Sequence, residues 1–174
     1  DKEREDLLWL IAERFPTEGL ALQALEDWFV EKGNTRGLNK LYTQLVSSNL
    51  KEVSESMKFV VMKNNLASTL LLLKLQLPRA HELAREVYQV KPDNAVFATT
   101  YAFSVHLQSN TVEGIRVMET LKPEMLEVPG VAAYYGVLLA AHGEADKAKK
   151  YLEIAQKSKL LPEEQALVKQ ALKP

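Results

Sequence analysis

Residues 134–152 read YYGVLLAAHGEADKAKKYL. An apolar stretch runs into His142-Gly143-Glu144 and gives way to a mixed, lysine-rich one, with Gly136 and Ala148 on either side of the junction. Apolar residues recur at three and four, the period of an amphipathic helix. Gly143 lies midway, where the chain must reverse and a positive φ costs glycine little. Two helices that cross closely need missing side-chain volume at the crossing. The stretch therefore predicts a helical hairpin in which Gly136 of one rod meets Ala148 of the other.

The pattern repeats outward. At a step of 34 residues Ala67, Tyr101 and Tyr135 coincide, as do Ser68, Ala102 and Gly136, then Leu71, Val105 and Leu139, then Ala80, Gly114 and Ala148. Two of these columns hold only small or mostly small residues, and Ala84, Met118 and Leu152 continue the register, so the unit is a pair of helices. Helices are predicted over 2–15, 18–32, 36–48, 51–75, 79–90, 94–108, 112–121, 130–142, 145–158 and 163–172, with no strand. The chain holds only 7 glycines and 7 prolines, and most fall between these segments. Thr35 and Thr111 are expected as helix N-caps, Pro78 in a first turn, and Glu163 and Glu164 at the positive end of a helix dipole.

Those columns resemble the tetratricopeptide repeat, a 34-residue helix-turn-helix unit with small residues where its two helices cross. Unit 129–162 carries Tyr135-Gly136, Leu139, Gly143, Ala148, Leu152 and Ala155. Unit 61–94 carries Ala67-Ser68, Leu71, Ala80, Ala84, Val87 and Pro92, and unit 95–128 carries Tyr101-Ala102, Val105, Gly114 and Leu121. An earlier unit, 19–52, has Leu25, Phe29, Gly33, Leu38, Tyr42 and Leu45 but places Glu26 at the small position. About eight extra residues near Leu50 to Met57 displace its register, and a lengthened helix is expected there. Residues 1–18 read as the end of a truncated unit with Leu8 and Ile11 inward, and 163–174 as a capping helix. The resemblance implies an all-α, right-handed α-α superhelix spanning 1–174 as a single solenoid.

At about 100° per residue, unit positions 5, 9 and 12 form a stripe apart from the stacking positions. They read Asn65, Thr69 and Leu72, then Thr99, Phe103 and His106, then Ala133, Val137 and Ala140. The resemblance implies that this stripe lines a concave, partner-binding groove, with Asn65, Thr69, Thr99, Phe103, His106, Ala133 and Val137 as its candidate residues. The lysines with which some family members clamp a peptide's terminal carboxylate are absent, and a mostly apolar lining suits an amphipathic helix or an extended apolar peptide. An equal alternative is that the stripe packs against another domain or the chain's own ends.

The charge balance, 22 basic against 23 acidic residues, gives no electrostatic reason to expect nucleic acid. The longest apolar run, Leu70 to Leu73, is far short of the ~20 residues a membrane span needs. Cysteine is absent, so disulfides and thiolate chemistry are excluded and the compartment stays open between cytoplasm and periplasm. The opening Asp1-Lys2-Glu3-Arg4 reads as a soluble fragment of a longer chain or as a processed product. His81, His106 and His142 lie in separate segments without metal-ligand or catalytic spacing, and no phosphate loop or nucleophile elbow occurs. Lys147, Lys149 and Lys150 read as a solvated face, and Trp9 and Trp28 as core. A noncatalytic module that binds a protein or peptide, with no cofactor, is expected. The other readings are a structural spacer or accessory domain of a larger enzyme or secretion and assembly protein and, least favoured, catalysis.

Overall fold

The computed structural model describes residues 2–14, 19–48 and 56–173. Among them are eleven helices and no strand: α1 (Lys2–Arg14), α2 (Gly19–Glu31), α3 (Thr35–Ser47), α4 (Met57–Leu73), α5 (Leu77–Val90), α6 (Ala95–Leu107), α7 (Thr111–Glu119), α8 (Pro123–Leu126), α9 (Pro129–Ala141), α10 (Ala145–Gln156) and α11 (Pro162–Ala171). Helices α2 with α3, α4 with α5, α6 with α7, and α9 with α10 pack as hairpins. Between hairpins, α3 meets α4, α5 meets α6 and α7 meets α9, while α4, α6 and α9 lie side by side.

Four reversals share one geometry. Gly33, Lys74, Ser109 and Gly143 have φ of 60°, 54°, 65° and 88°. The N–H of each following residue, Asn34, Leu75, Asn110 and Glu144, donates to the carbonyl five residues back, at 2.8, 2.9, 3.1 and 2.9 Å. The left-handed residue itself donates three residues back, to Val30, Leu71, His106 and Ala140. This is the Schellman ending of a helix, which satisfies carbonyls that the next turn would have paired. Glycine serves at two of the positions. Lys74 and Ser109 hold the same conformation at a cost of roughly 1–2 kcal/mol for an L-residue.

This turn corrects the expected caps. Asn34 and Asn110 cap α3 and α7, their side chains accepting from Gly37 N–H and Glu113 N–H at 2.9 and 3.3 Å, while Thr35 and Thr111 are the first helical residues. After Gly33, Ser109 and Gly143 the next residue is already the N-cap of the following helix, whereas Leu75 and Gln76 separate Lys74 from α5. Pro78 falls in the first turn of α5 as expected. Helix α4 begins at Met57 behind Ser56, whose hydroxyl accepts from Phe59 N–H and whose ψ of 151° is extended. The expected helix over 51–75 is therefore shortened at its start, and the rest of the proposed lengthening lies outside the described residues.

The crossings use small residues in two ways. A Cβ on Gly114 would lie 2.7 Å from the carbonyl oxygen of Ala102 and 2.6 Å from Leu138 Cδ2, so the Ala102 and Gly114 columns do meet. In the last hairpin the nearest atoms to a Cβ on Gly136 belong to Leu152, including its backbone nitrogen at 3.1 Å, one turn beyond Ala148. The closest approach at Gly136 is thus made by Leu152, with Ala148, one turn earlier in α10, also buried. In the first hairpin Gly37 faces the Phe29 ring, and Glu26, at the expected small position, accepts from Tyr42 Oη at 2.7 Å instead of clashing.

Helices α2, α3, α5, α7 and α10 bury one face, whereas the central α4, α6 and α9 are buried nearly all round, α9 over the unbroken run Val131 to Leu139. Leu25 and Phe29, Leu66 and Leu70, Ala98 and Ala102, and Leu138 and Leu139 are almost fully buried. In α1 the buried residues are Trp9 and Ala12, with Leu8 and Ile11 half-buried, so the inward face is rotated from the expected one. Trp9 sits 5.9 Å from the Phe29 ring, and Trp28, also buried, has Arg4 and Lys32 over its ring at 4.7 and 4.6 Å. Both tryptophans are core residues, as their neighbours suggest. No described helix is long and apolar enough to cross a membrane.

Candidate functional site

The wall formed by α4, α6 and α9 carries the predicted stripe. Thr69, Thr99, Phe103, Ala133 and Val137 are buried, and Asn65 and His106 half-buried. Threonines survive inside these helices because each hydroxyl turns back on its own backbone: Thr69 donates to Asn65 and Leu66 carbonyls, and Thr99 to Ala95 at 2.7 Å. Thr69 also accepts from Asn39 Nδ2 at 3.0 Å, tying α3 to α4. The Phe103 ring meets Tyr134 edge-on at 5.0 Å and lies 6.1 Å from His106.

Part of the stripe, Ala133 and Val137, lies beneath α11. Helix α11 contacts α9 and α10 and reaches across to α4. Pro162 abuts Gly33 in the first reversal, where an added Cβ would be 3.2 Å from its Cγ. Thr35 Oγ1 donates to Glu163, Tyr134 Oη donates to Glu164 at 2.8 Å, and Glu164 also accepts from Leu161 N–H at 2.9 Å. The two carboxylates expected at a helix dipole thus also anchor the helix end to α3 and α9. Burial, and then the adjacent Glu164 charge, push the Tyr134 hydroxyl well above its ordinary range, so it stays a donor.

Helix α11 divides the wall. On one flank a cleft of about 590 Å³ is lined by Leu72, Phe103, His106, Val137 and Ala140 against Ala166 and Ala171 of α11. On the other, a cavity of about 320 Å³ holds Asn65, Thr69 and Thr99 with Glu26, Tyr42 and Glu164. Ala133 and Val137 lie beneath the helix with Leu167 and Val168. Asn64, beside the second cavity, has the one buried side-chain oxygen without a partner among the described residues.

Sequence reading drew the stripe but missed Thr35 and Tyr134, which hold α11 by its first-turn carboxylates, and Val168, the residue that α11 itself buries. The available signal is Leu167, Val168 and Ala171, apolar at helical spacing on a terminal helix that needs a surface to cover them.

The histidines do not converge. His81 Nδ1 pairs with Ser104 Oγ at 2.8 Å, His106 Nδ1 with Thr111 Oγ1 at 2.9 Å, and His142 is exposed. Burial lowers the pKa of His81 and of His106 below 6.5. Among the described residues no group of three or more histidines and carboxylates could hold a metal ion. Lys147 bonds Glu119 at 3.0 Å and Lys150 pairs with Glu127, so the lysine-rich face of α10 is tied to α7 and the α8 end while Lys149 is exposed. No protein-family model matches the chain, and no curated protein or solved structure does so either.

Proposed function

We propose that the chain is a stack of tetratricopeptide-like hairpins forming a right-handed superhelix, and that it acts as a noncatalytic interaction module whose inner wall binds a helix or peptide of a partner protein. The observation that carries this reading is the seating of α11: the wall of α4, α6 and α9 accommodates an amphipathic helix through apolar contacts along its length and hydroxyl donors at one end. The shared Schellman turns and the Ala102–Gly114 crossing favour the repeat assignment. Distributed side chains on a stacked wall, rather than one convergent polar cluster, are the recognition mode of such arrays.

Ala140→Glu tests the reading. Ala140 lines the open cleft and is half-buried, so a glutamate there blocks the cleft while sparing the core. Cross-linking capture from the source cells should recover a partner with the unaltered chain and lose it with this variant. An unchanged set of captured proteins would contradict the assignment of the wall as the binding face.

A further inference from the structure

We propose that α11 is a displaceable occupant of the wall, and that the partner is an amphipathic helix with carboxylates in its opening turn and larger apolar side chains where α11 has Ala166 and Ala171. This rests on the interaction reading above and names both the partner's chemistry and the regulation of the site.

Three observations carry it. The hold on α11 is modest: of its ten residues only Val168 is buried, Leu167 and Ala171 are partly buried against the core, and the polar anchors Glu163 and Glu164 sit with Pro162 in the first turn. A helix this short is marginal by itself in water, so release from the wall also unwinds it. The wall is wider than the helix on it, since the cleft of about 590 Å³ lies between Phe103, His106, Val137 and Ala140 on one side and the small Ala166 and Ala171 on the other. The end of the wall is defined by hydroxyl donors, Thr35 and Tyr134, each given to a carboxylate. A second copy of the chain would offer the same α11 and leave the same cleft unfilled. A foreign helix with leucine or methionine at the two alanine positions buries more apolar surface, which favours the foreign partner over self-exchange.

Tethering sets the numbers. A segment on a short linker has an effective concentration on the order of 1 mM. For α11 to occupy the wall more than about nine-tenths of the time, its intrinsic Kd must lie below ~0.1 mM, while a free peptide competing with it sees an apparent Kd of ~1 mM.

The probe is a labelled peptide of α11's own sequence, LLPEEQALVKQALK (residues 160–173), and the same peptide carrying A166L and A171L, read by fluorescence anisotropy. The 174-residue chain with Val168→Asp should bind the first peptide at least ten-fold more tightly than the unaltered chain. It should bind the leucine peptide several-fold more tightly again, and Ala140→Glu added to the chain should abolish that further gain. If circular dichroism shows the Val168→Asp chain unfolded, the pair Glu163→Ala and Glu164→Ala releases the helix instead. Affinities for the intact and released chains within two-fold of each other would overturn the proposal. So would absence of binding to a chain whose α11 amides exchange freely, or a dimer of the unaltered chain that Val168→Asp abolishes. Partner capture lost with Ala140→Glu but untouched by release of α11 would overturn displacement alone and leave the interaction reading standing. Capture unchanged by Ala140→Glu counts against both.

Discussion

Gly114→Ala puts a methyl group 2.7 Å from the carbonyl oxygen of Ala102 and 2.6 Å from Leu138 Cδ2. The leucine methyl can swing aside, but the carbonyl belongs to the backbone of α6, so α6 and α7 must separate by several tenths of an ångström. Overpacking of this kind costs about 1–3 kcal/mol, and contact with backbone places this site at the upper end. Alanine in a helix interior returns about 1 kcal/mol relative to glycine. The net destabilisation is about 2 kcal/mol, a fall in Tm of roughly 4–8 °C for a chain of this size. Gly130→Ala is the matched control: nothing lies within 4 Å of its added Cβ, so it should leave Tm unchanged or raise it. Thermal and urea unfolding followed by circular dichroism read both. A Gly114→Ala chain as stable as the unaltered one would refute the close crossing of α6 and α7, because propensity alone predicts a gain at both positions.

Tyr134→Phe removes the donor to Glu164 and should cost about 1–2 kcal/mol, with hydrogen exchange faster at the amides of α11 and unchanged in the α6–α7 hairpin. Ser109→Gly relieves a left-handed L-residue worth roughly 1–2 kcal/mol against a glycine entropy cost of about 0.5–1 kcal/mol, so a net gain of about 0.5–1 kcal/mol in urea unfolding is expected. Burial holds the pKa of His81 and of His106 below 6.5 in the fold. Below that pH the unfolded chain binds more protons than the folded one, so stability should fall as pH drops from about 6.5, and His81→Asn with His106→Asn should flatten the fall in urea midpoint. Glu119 is lowered first by its bond to Lys147. Its stabilisation is present above 4.5 and lost as pH falls through its lower folded value; because the pair is half exposed, Glu119→Gln should change stability by under about 1 kcal/mol.

Much of the helical layout was legible because its signals are local. Gly33 and Gly143 announce reversals through a conformation that glycine adopts freely, and the Ala102 and Gly114 columns announce a crossing. Lys74 takes the same left-handed turn, yet a lysine gives no such signal, so that reversal is misplaced toward Leu77-Pro78. The caps slip by one residue for a related reason: Asn34 and Asn110 end one motif and begin the next. Helix α8, four residues long, is too short to show any period. The stripe from Asn65 to Val137 follows from spacing, but its cover does not. Whether Val168 meets Ala133 and Val137 or solvent depends on where residues 157–161 direct the chain, and periodicity carries no information about direction.

The most direct measurement is a nuclear Overhauser spectrum of the chain in solution. The account predicts cross-peaks between Gly33 Hα and the Pro162 ring, and between Gly114 Hα and a Leu138 methyl, from the approaches seen at both glycines. Presence of the second without the first would mean that the hairpins pack as described while α11 lies elsewhere, contradicting the claim that the chain's own last helix closes its wall.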